Sequence, residues 1–300
     1  MSRAGDAPRR PLRSPLRRRL IGAALVCVAA PAAVAQSWAW DDGTVPFVVT
    51  PDEVVDRMLR IADVRAGDRL IDLGSGDGRI VIGAAQRGAQ ALGIDIDPTL
   101  VERAGARAQE AGVAARAQFR AQDLFDTDLS QASVITMYLL PEFNLKLRPR
   151  LLALKPGTRV VSHDWHMGDW RPDETIELRT PEKPVGLGGV SRVYLWVIPA
   201  ELRGRWRAEV PGHGGRWEFG FEQQRQEIQV AARADGRELV VRGSRLLGEE
   251  VKMVVTGVVD GRPWNHLFKG RIAAGRISGE VLVSDGDNQR TLKWTASRLP

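Results

Sequence analysis

The sequence predicts an α/β protein: a mostly parallel sheet covered by helices on both faces, followed by a C-terminal antiparallel all-β barrel or sandwich. Three observations carry this expectation. From about residue 70 to residue 198, segments with the period of buried strands alternate with segments of helical period, which is the pattern of a parallel sheet. The first strand runs directly into a glycine-rich turn, Gly74-Ser75-Gly76-Asp77-Gly78, where freedom to take φ > 0 lets backbone come close to a ligand. After Pro199 the helical signals stop, and short alternating runs such as Trp217, Phe219, Phe221 replace them, the period of half-buried strands.

Taken in order, residues 36–50 read as an extended lead-in with Trp38, Trp40 and Phe47 available to pack. Thr50-Pro51-Asp52-Glu53 reads as a helix start with Thr50 as N-cap, Pro51 at the first helical position and Glu53 three residues after the cap. Val54, Val55, Met58 and Leu59 form its buried stripe. A strand over 70–73 leads through the glycine turn to a helix that Gly88 stops; a second strand, 89–94, ends in Asp95. Asp97-Pro98 opens a helix ending near Gly112, and a third strand, 117–120, precedes Asp123. A fourth strand (133–138), a helix (142–152), a fifth strand (159–162) and an antiparallel pair (174–179 and 190–198) complete seven strands.

The C-terminal part carries Asp-Gly pairs at 235, 260 and 285, a spacing of 25 residues each time. Asp-Gly favours a two-residue hairpin corner, and such a spacing holds two strands and two turns, so about eight antiparallel strands are expected. Domain boundaries fall at 36–199 and 200–300. Trp206, Trp217, Trp264 and Trp294 are expected in a core, which favours a structural or partner-binding role over lipid or peptide capture.

Three strand ends carry polar groups at one edge of the sheet, the edge where open α/β sheets bind ligands. A GxGxG run also occurs in ordinary tight turns. Asp95, twenty-one residues after Gly74, is placed to accept both hydroxyls of a ribose, and Asp123 lies where adenine could sit. A dinucleotide site would want GxGxxG; here the third glycine comes one residue early.

Asp72 before the glycines and the run Asp95-Ile96-Asp97-Pro98 resemble motif I and the following acidic loop of class I S-adenosylmethionine-dependent methyltransferases, over about residues 45 to 198. Within that superfamily DLGSGDGRIVI, with VPFVVTP upstream and RVVSHDW downstream, is similar to the small bacterial and mitochondrial enzymes related to protein lysine N-methyltransferases. The resemblance implies a Rossmann-like seven-stranded methyltransferase sheet with S-adenosyl-L-methionine as cofactor. It puts Asp72, Gly74 and Gly76 around the methionine part, Asp95 on the ribose and Asp123 near adenine, with Ser75 and Ile96 also among the cofactor-binding residues and Phe47 and Thr50 in a segment that closes over the cofactor. The acceptor it implies is an amine, with a protein lysine leading. A small-molecule acceptor, or a non-catalytic cofactor-binding fold serving as an envelope assembly module, are the alternatives.

On the substrate side, Tyr138-Leu139-Leu140-Pro141 is not the Asn/Asp-Pro-Pro-aromatic motif of enzymes that methylate nucleobase amino groups, which argues against DNA and RNA. Tyr138 is either a substrate contact or a strand-end tyrosine bonded to backbone. His163-Asp164-Trp165-His166 follows a strand into a loop, so its two histidines are not spaced for one metal and no metal site is expected. His163 reads as a proton acceptor or as a group that holds the loop after the fourth strand.

The formal charge of +6 does not imply nucleic-acid binding. Seven arginines and one aspartate in the first twenty residues account for all of it, and the remainder is neutral overall. That segment, an apolar run over 20–30 and Ala33-Val34-Ala35 before Gln36 read as a signal peptide over residues 1–35. The mature chain is then periplasmic or secreted, without stable membrane insertion. Arg17-Arg18-Arg19 also fits a twin-arginine pattern loosely. The only cysteine, Cys27, would leave with the leader. Export raises a supply question, because a charged zwitterion does not cross a bilayer unaided: the cofactor is bound before export, activity in place is low, or the leader is not used.

Overall fold

A computed structural model describes residues 47–183, 188–211, 215–259 and 262–300. The signal-peptide reading and the Asp260-Gly261 corner lie outside them. The first helix, α1 (Asp52–Ile61), buries Val54, Val55, Met58 and Leu59, the stripe expected from spacing. Its start differs from expectation by one residue: Pro51 is the N-cap, and no side chain caps the helix. Thr50 fails to cap because its hydroxyl lies 3.4 Å from Nδ1 of His163, a partner 113 residues away that helix-start patterns do not register.

The sheet has the order β3-β2-β1-β4-β5-β7-β6, formed by β1 (Arg69–Leu73), β2 (Gln90–Asp95), β3 (Ala117–Ala121), β4 (Val134–Met137), β5 (Arg159–His163), β6 (Glu174–Arg179) and β7 (Val190–Val197). Strands β1 to β5 pair in parallel, while β7 runs antiparallel to both β5 and β6. Helix α2 (Arg79–Gln86) connects β1 to β2, α3 (Pro98–Glu110) connects β2 to β3 and α4 (Pro141–Leu152) connects β4 to β5, while a 3-10 turn over Leu124–Asp126 lies between β3 and β4. Alternation splits each strand between two cores: Leu70 and Val161 pack with α1 and α2, whereas Ile71, Leu73 and Val160 pack with Leu147 and Leu151 of α4 and with Trp170 and Trp196. The strand order reverses between β1 and β4, and at that switch point an open α/β sheet leaves a crevice at its carboxyl edge.

The remaining strands close an eight-stranded antiparallel barrel. They are β8 (Gly204–Glu209), β9 (Trp217–Gln224), β10 (Glu227–Ala234), β11 (Arg237–Leu247), β12 (Glu250–Val259), β13 (Arg262–Ala273), β14 (Arg276–Ser284) and β15 (Gln289–Arg298). Closure removes the sheet edges, which decides between barrel and sandwich. The interior is filled by side chains: Phe268 meets Phe219 at 5.2 Å and Trp294 at 5.0 Å between ring centroids, both edge-on. Trp206, Trp217 and Trp294 are buried, while Trp264 is half-buried against this cluster.

Two of the expected corners differ from each other. Asp235 and Gly236 both take positive φ, 49° and 78°, between paired Ala234 and Arg237, as a two-residue corner requires. At Asp285 the connection is longer, residues 285–288, because the Asp285 carboxylate accepts from the backbone N–H of Asp287 (3.1 Å) and Asn288 (2.8 Å) and so organises a four-residue loop.

The barrel is joined to the sheet through side chains as well as through the chain. Asp169 accepts from Arg148 of α4 (2.5 Å) and from Arg225 in the β9–β10 turn (2.7 Å). Trp170 donates its indole N–H to Gln226 of the same turn at 2.8 Å.

Candidate active site

The site grows from the end of β1. The N–H groups of Gly74 and Ser75 donate to the Ile94 carbonyl, at 2.8 and 2.9 Å, so the glycine turn hangs from the end of β2. Gly74, Gly76 and Gly78 all take positive φ, at 77°, 52° and 79°, as the turn demands. What a side chain would meet differs at each. At Gly76 a Cβ would sit 2.3 Å from the Phe47 ring; at Gly78 it would meet Phe119 of β3 and Ala104 of α3 at 2.7 and 2.8 Å. The third glycine therefore serves close packing of strand and helix, although it comes one residue earlier than in a dinucleotide turn.

A cavity of about 770 Å³ opens at this edge. Of the residues expected to hold a cofactor, Phe47, Thr50, Asp72, Gly74, Ser75, Asp95, Ile96 and Asp123 line it, as do Asp77, Arg79, Leu139 and Lys146. Gly76 lies under Phe47. Asp95 is held by the backbone: one oxygen accepts from Gly76 N–H (2.7 Å), the other from Asp97 N–H (3.0 Å). Asp123 accepts from Phe125 N–H at 2.8 Å and caps a short 3-10 turn.

The charges in the cavity differ in character. Asp72 is buried, and among the described residues its carboxylate has only the Thr136 hydroxyl (2.7 Å) as hydrogen-bond partner. Burial pushes its carboxyl up to about 7; the Thr136 hydrogen bond opposes this, and the neighbouring Asp95 and Asp77 add to it. For Asp77 burial also works against the charge, but Arg79 and Arg107 outweigh it and hold the group below the usual carboxylate range. Arg79 is engaged further by the Thr50 carbonyl at 2.8 Å and by Asp52, which ties the segment before α1 to the glycine turn.

Tyr138, just after β4, lines the cavity, whereas His163 is fully buried and is not among the lining residues. Their rings pack with centroids 3.9 Å apart. The tyrosine hydroxyl donates to Asp164 at 3.2 Å, so its partner is a carboxylate and not backbone. His163 is bonded at both nitrogens, to Thr50 and to Ser191 (3.0 Å), and burial pushes its imidazole down to about 4 against the opposing pull of Asp164. The sequence places Asp164 in the polar run without assigning it a role and gives no sign of Lys183, whose fully buried ammonium donates to Asp164 at 2.5 Å and to the Val190 carbonyl at 2.8 Å. The described residues contain no group of three or more histidine, cysteine or acidic side chains able to hold a metal.

Residues 72–174 match the ANTKMT methyltransferase domain family. The chain is 42% identical over 158 residues to a protein-lysine N-methyltransferase of Saccharolobus islandicus, a match covering 51% of this chain and 94% of that protein. The chain belongs to the S-adenosylmethionine-dependent methyltransferases. It is also 35% identical over 130 residues to the mouse adenine nucleotide translocase lysine N-methyltransferase, spanning 56% of that enzyme's length and 43% of its own. Among solved structures it is similar to an RNA methyltransferase from Salinibacter ruber crystallised with S-adenosyl-L-homocysteine, at 55% identity, covering 52% of this chain and 96% of that one with a TM-score of 0.46.

The cavity of this methyltransferase fits the cofactor on its own chemistry. The Ser75 hydroxyl is buried without a partner in the cavity wall, a cost that a polar ligand atom removes. Asp72 is a buried carboxyl group facing the cavity with no cation beside it among the described residues, suited to a positively charged ligand group. Ile96, 61% exposed at the cavity rim, offers the apolar surface that a purine covers.

Proposed function

We propose that this methyltransferase acts on an amine, and specifically on a protein lysine side chain. Charge supports this most. The cavity is lined by Asp72, Asp77, Asp95, Asp97 and Asp123, against Arg79 and Lys146, and Arg79 is already engaged by Asp77 and Asp52. With Asp72, Asp95 and Asp123 serving the cofactor, the excess of carboxylates still favours an ammonium over a phosphate backbone. The names of the Saccharolobus and mouse relatives point the same way.

Within this reading Asp72 with Ser75 and the glycine turn holds the methionine end, Asp95 the ribose, and Ile96 and Asp123 the adenine; Phe47 and Thr50 cover the whole. The bound cofactor supplies an electrophilic methyl group on a sulfonium. The chain's part is to align the acceptor nitrogen and to exclude water. A lysine amine, with a reference pKa near ~10.4, has to arrive neutral, and the half-buried surroundings of Tyr138 favour that form.

The test is to incubate the purified protein and tritiated cofactor with cell-envelope and cytosolic extracts and to follow the label. Label in protein hydrolysates as methyllysine is the expected result; label only in RNA or in small molecules overturns the lysine reading. Tyr138→Phe should lower kcat about tenfold while leaving cofactor affinity within about twofold, since Tyr138 faces the acceptor.

We also propose that residues 1–35 direct export, on the basic stretch, apolar run and Ala-Val-Ala site. Mass spectrometry of the native protein should then find its first residue at Gln36; an intact Met1 in the cytosol refutes it.

A further inference from the structure

We propose that Asp164 is a positioning residue for the acceptor nitrogen: it takes the Tyr138 proton away from the cavity, so that the phenol oxygen faces the incoming amine as a hydrogen-bond acceptor. This rests on the amine reading above and concerns the direction of one hydrogen bond.

A phenol has one proton to give. Asp164 is paired with the Lys183 ammonium at 2.5 Å, so it is a carboxylate that can only accept, and the 3.2 Å contact with Tyr138 has to run from the phenol to the carboxylate. The proton of Tyr138 is thereby committed on the side away from the cavity, and burial with the adjacent Asp164 charge raises the phenol above its ordinary range, so that it stays protonated. An amine about to accept a methyl group has to aim its lone pair at the methyl carbon and its N–H bonds elsewhere. An acceptor beside it favours that alignment; a donor would compete for the lone pair.

The surroundings fix Asp164 for this task. It takes positive φ, 62°, a strained setting that aspartate and asparagine tolerate better than most residues. Strand β7 grips it from both sides: its N–H donates to the Arg192 carbonyl at 2.7 Å, and its other carboxylate oxygen accepts from Arg192 N–H at 3.0 Å. His163, packed against Tyr138 with the rings tilted by 36°, has its Nε2 3.5 Å from that same oxygen and reaches Thr50 in the cavity wall on its other side.

The same grip makes an informative variant. In Asp164→Asn the Arg192 N–H keeps the amide oxygen on its side, which turns the NH2 group toward Tyr138 and forces the phenol proton into the cavity. Asp164→Asn alone leaves the buried ammonium with one partner fewer, so Lys183→Met accompanies it; the pair of changes removes both buried charges together.

Two measurements decide the matter. The chain has two tyrosines, so protein labelled with 13C at tyrosine Cζ gives two resonances, assigned through Tyr138→Phe. In Asp164→Asn/Lys183→Met the Tyr138 resonance should move by more than that of Tyr194, which feels the Asp164 charge without a hydrogen bond to it; an unmoved Tyr138 resonance overturns the proposal. With a lysine peptide, kcat of the double variant should fall about tenfold with KM and cofactor Kd within about twofold, and adding Tyr138→Phe should cost nothing more. A loss that adds to that of Tyr138→Phe also overturns it. Wild-type protein that methylates no lysine at all sinks the amine reading instead, and the Cζ shift still reports on the hydrogen bond.

Discussion

Asp72→Asn will make the cofactor-free protein more stable at pH 8 and weaken cofactor binding at the same pH. Asp72 is buried against Thr136 with no cation beside it among the described residues, and its carboxyl titrates near 7 where an unfolded aspartate titrates near 3.8. Between those values the folded chain keeps a proton that the unfolded chain releases. Stability contributed at this position is therefore lost as pH rises, and the loss is complete above about 7. The gap corresponds to roughly 2 to 4 kcal/mol after allowance for relaxation. Asparagine has the same shape, accepts from Thr136 and carries no charge, so it escapes that cost. The wild-type cost is retained because a buried carboxylate is what a cationic ligand group requires, and cofactor affinity should fall at least about tenfold in the variant. Wild-type affinity should fall as pH drops below about 7.

The pH profile of stability gives an independent check. His163 is pushed down to about 4, so the unfolded chain takes up a proton near its ordinary 6.5 that the folded chain refuses; this contribution is lost as pH falls from 6.5 to 4. Over that interval Asp72 and His163 act with opposite sign. In the wild type they largely cancel, and in Asp72→Asn the slope from His163 should emerge, with the melting temperature rising from pH 4 to 6.5. A variant whose melting temperature at pH 8 equals that of wild type contradicts the argument.

Gly279→Ala should unfold the barrel under conditions where the wild type is native. A Cβ at Gly279 would lie 2.0 Å from the Lys269 carbonyl oxygen and 2.7 Å from Gly270 Cα. Both are backbone atoms of the neighbouring strand. Gly279 pairs with Gly270 across β13 and β14, and the ring of Trp294 lies where a side chain at Gly270 would go, 2.6 Å from that Cβ position. No rotamer change relieves such a clash; only separation of the two strands does. A loss of roughly 3 kcal/mol is expected, read as a lower urea midpoint. Gly220→Ala is the control: its nearest neighbour would be an ordinary 3.8 Å away, and a change within about 0.5 kcal/mol is expected.

What could be read from the sequence was what is local. The glycine turn, Asp95 at a strand end and the burial stripe of α1 depend on neighbours a few residues apart, so spacing alone indicated them. Thr50 carries every mark of a helix cap, yet its hydroxyl faces His163 across the sheet; the competing partner is close only after folding. Lys183 gave no signal at all. A lysine in a polar stretch reads as exposed, and its burial depends on Asp164 and on the Val190 carbonyl, which are brought together by the antiparallel return of β7. Tyr138 and His163 stand out by residue type, whereas the part played by Asp164 depends on Tyr138 and Lys183, which meet it only after folding. At Asp285 the dipeptide was right and the corner was not, since the carboxylate had two backbone N–H groups to satisfy.

The turn between β9 and β10 bears on how the protein comes apart. Arg225 and Gln226 reach into the loop that follows Asp164, and Asp169 there also holds α4 through Arg148. On the barrel side the Ala200 N–H donates to Gly248, and a side chain at Gly248 would strike Val197 of β7 and the backbone of Gly157. Melting of the barrel thus takes Arg225 from Asp169, the residue that also holds α4, and takes Gln226 from the indole N–H of Trp170, a residue 1% exposed in the intact chain. A truncation that discards the barrel removes these partners, and the methyltransferase half alone is expected to melt at a lower temperature than the full chain.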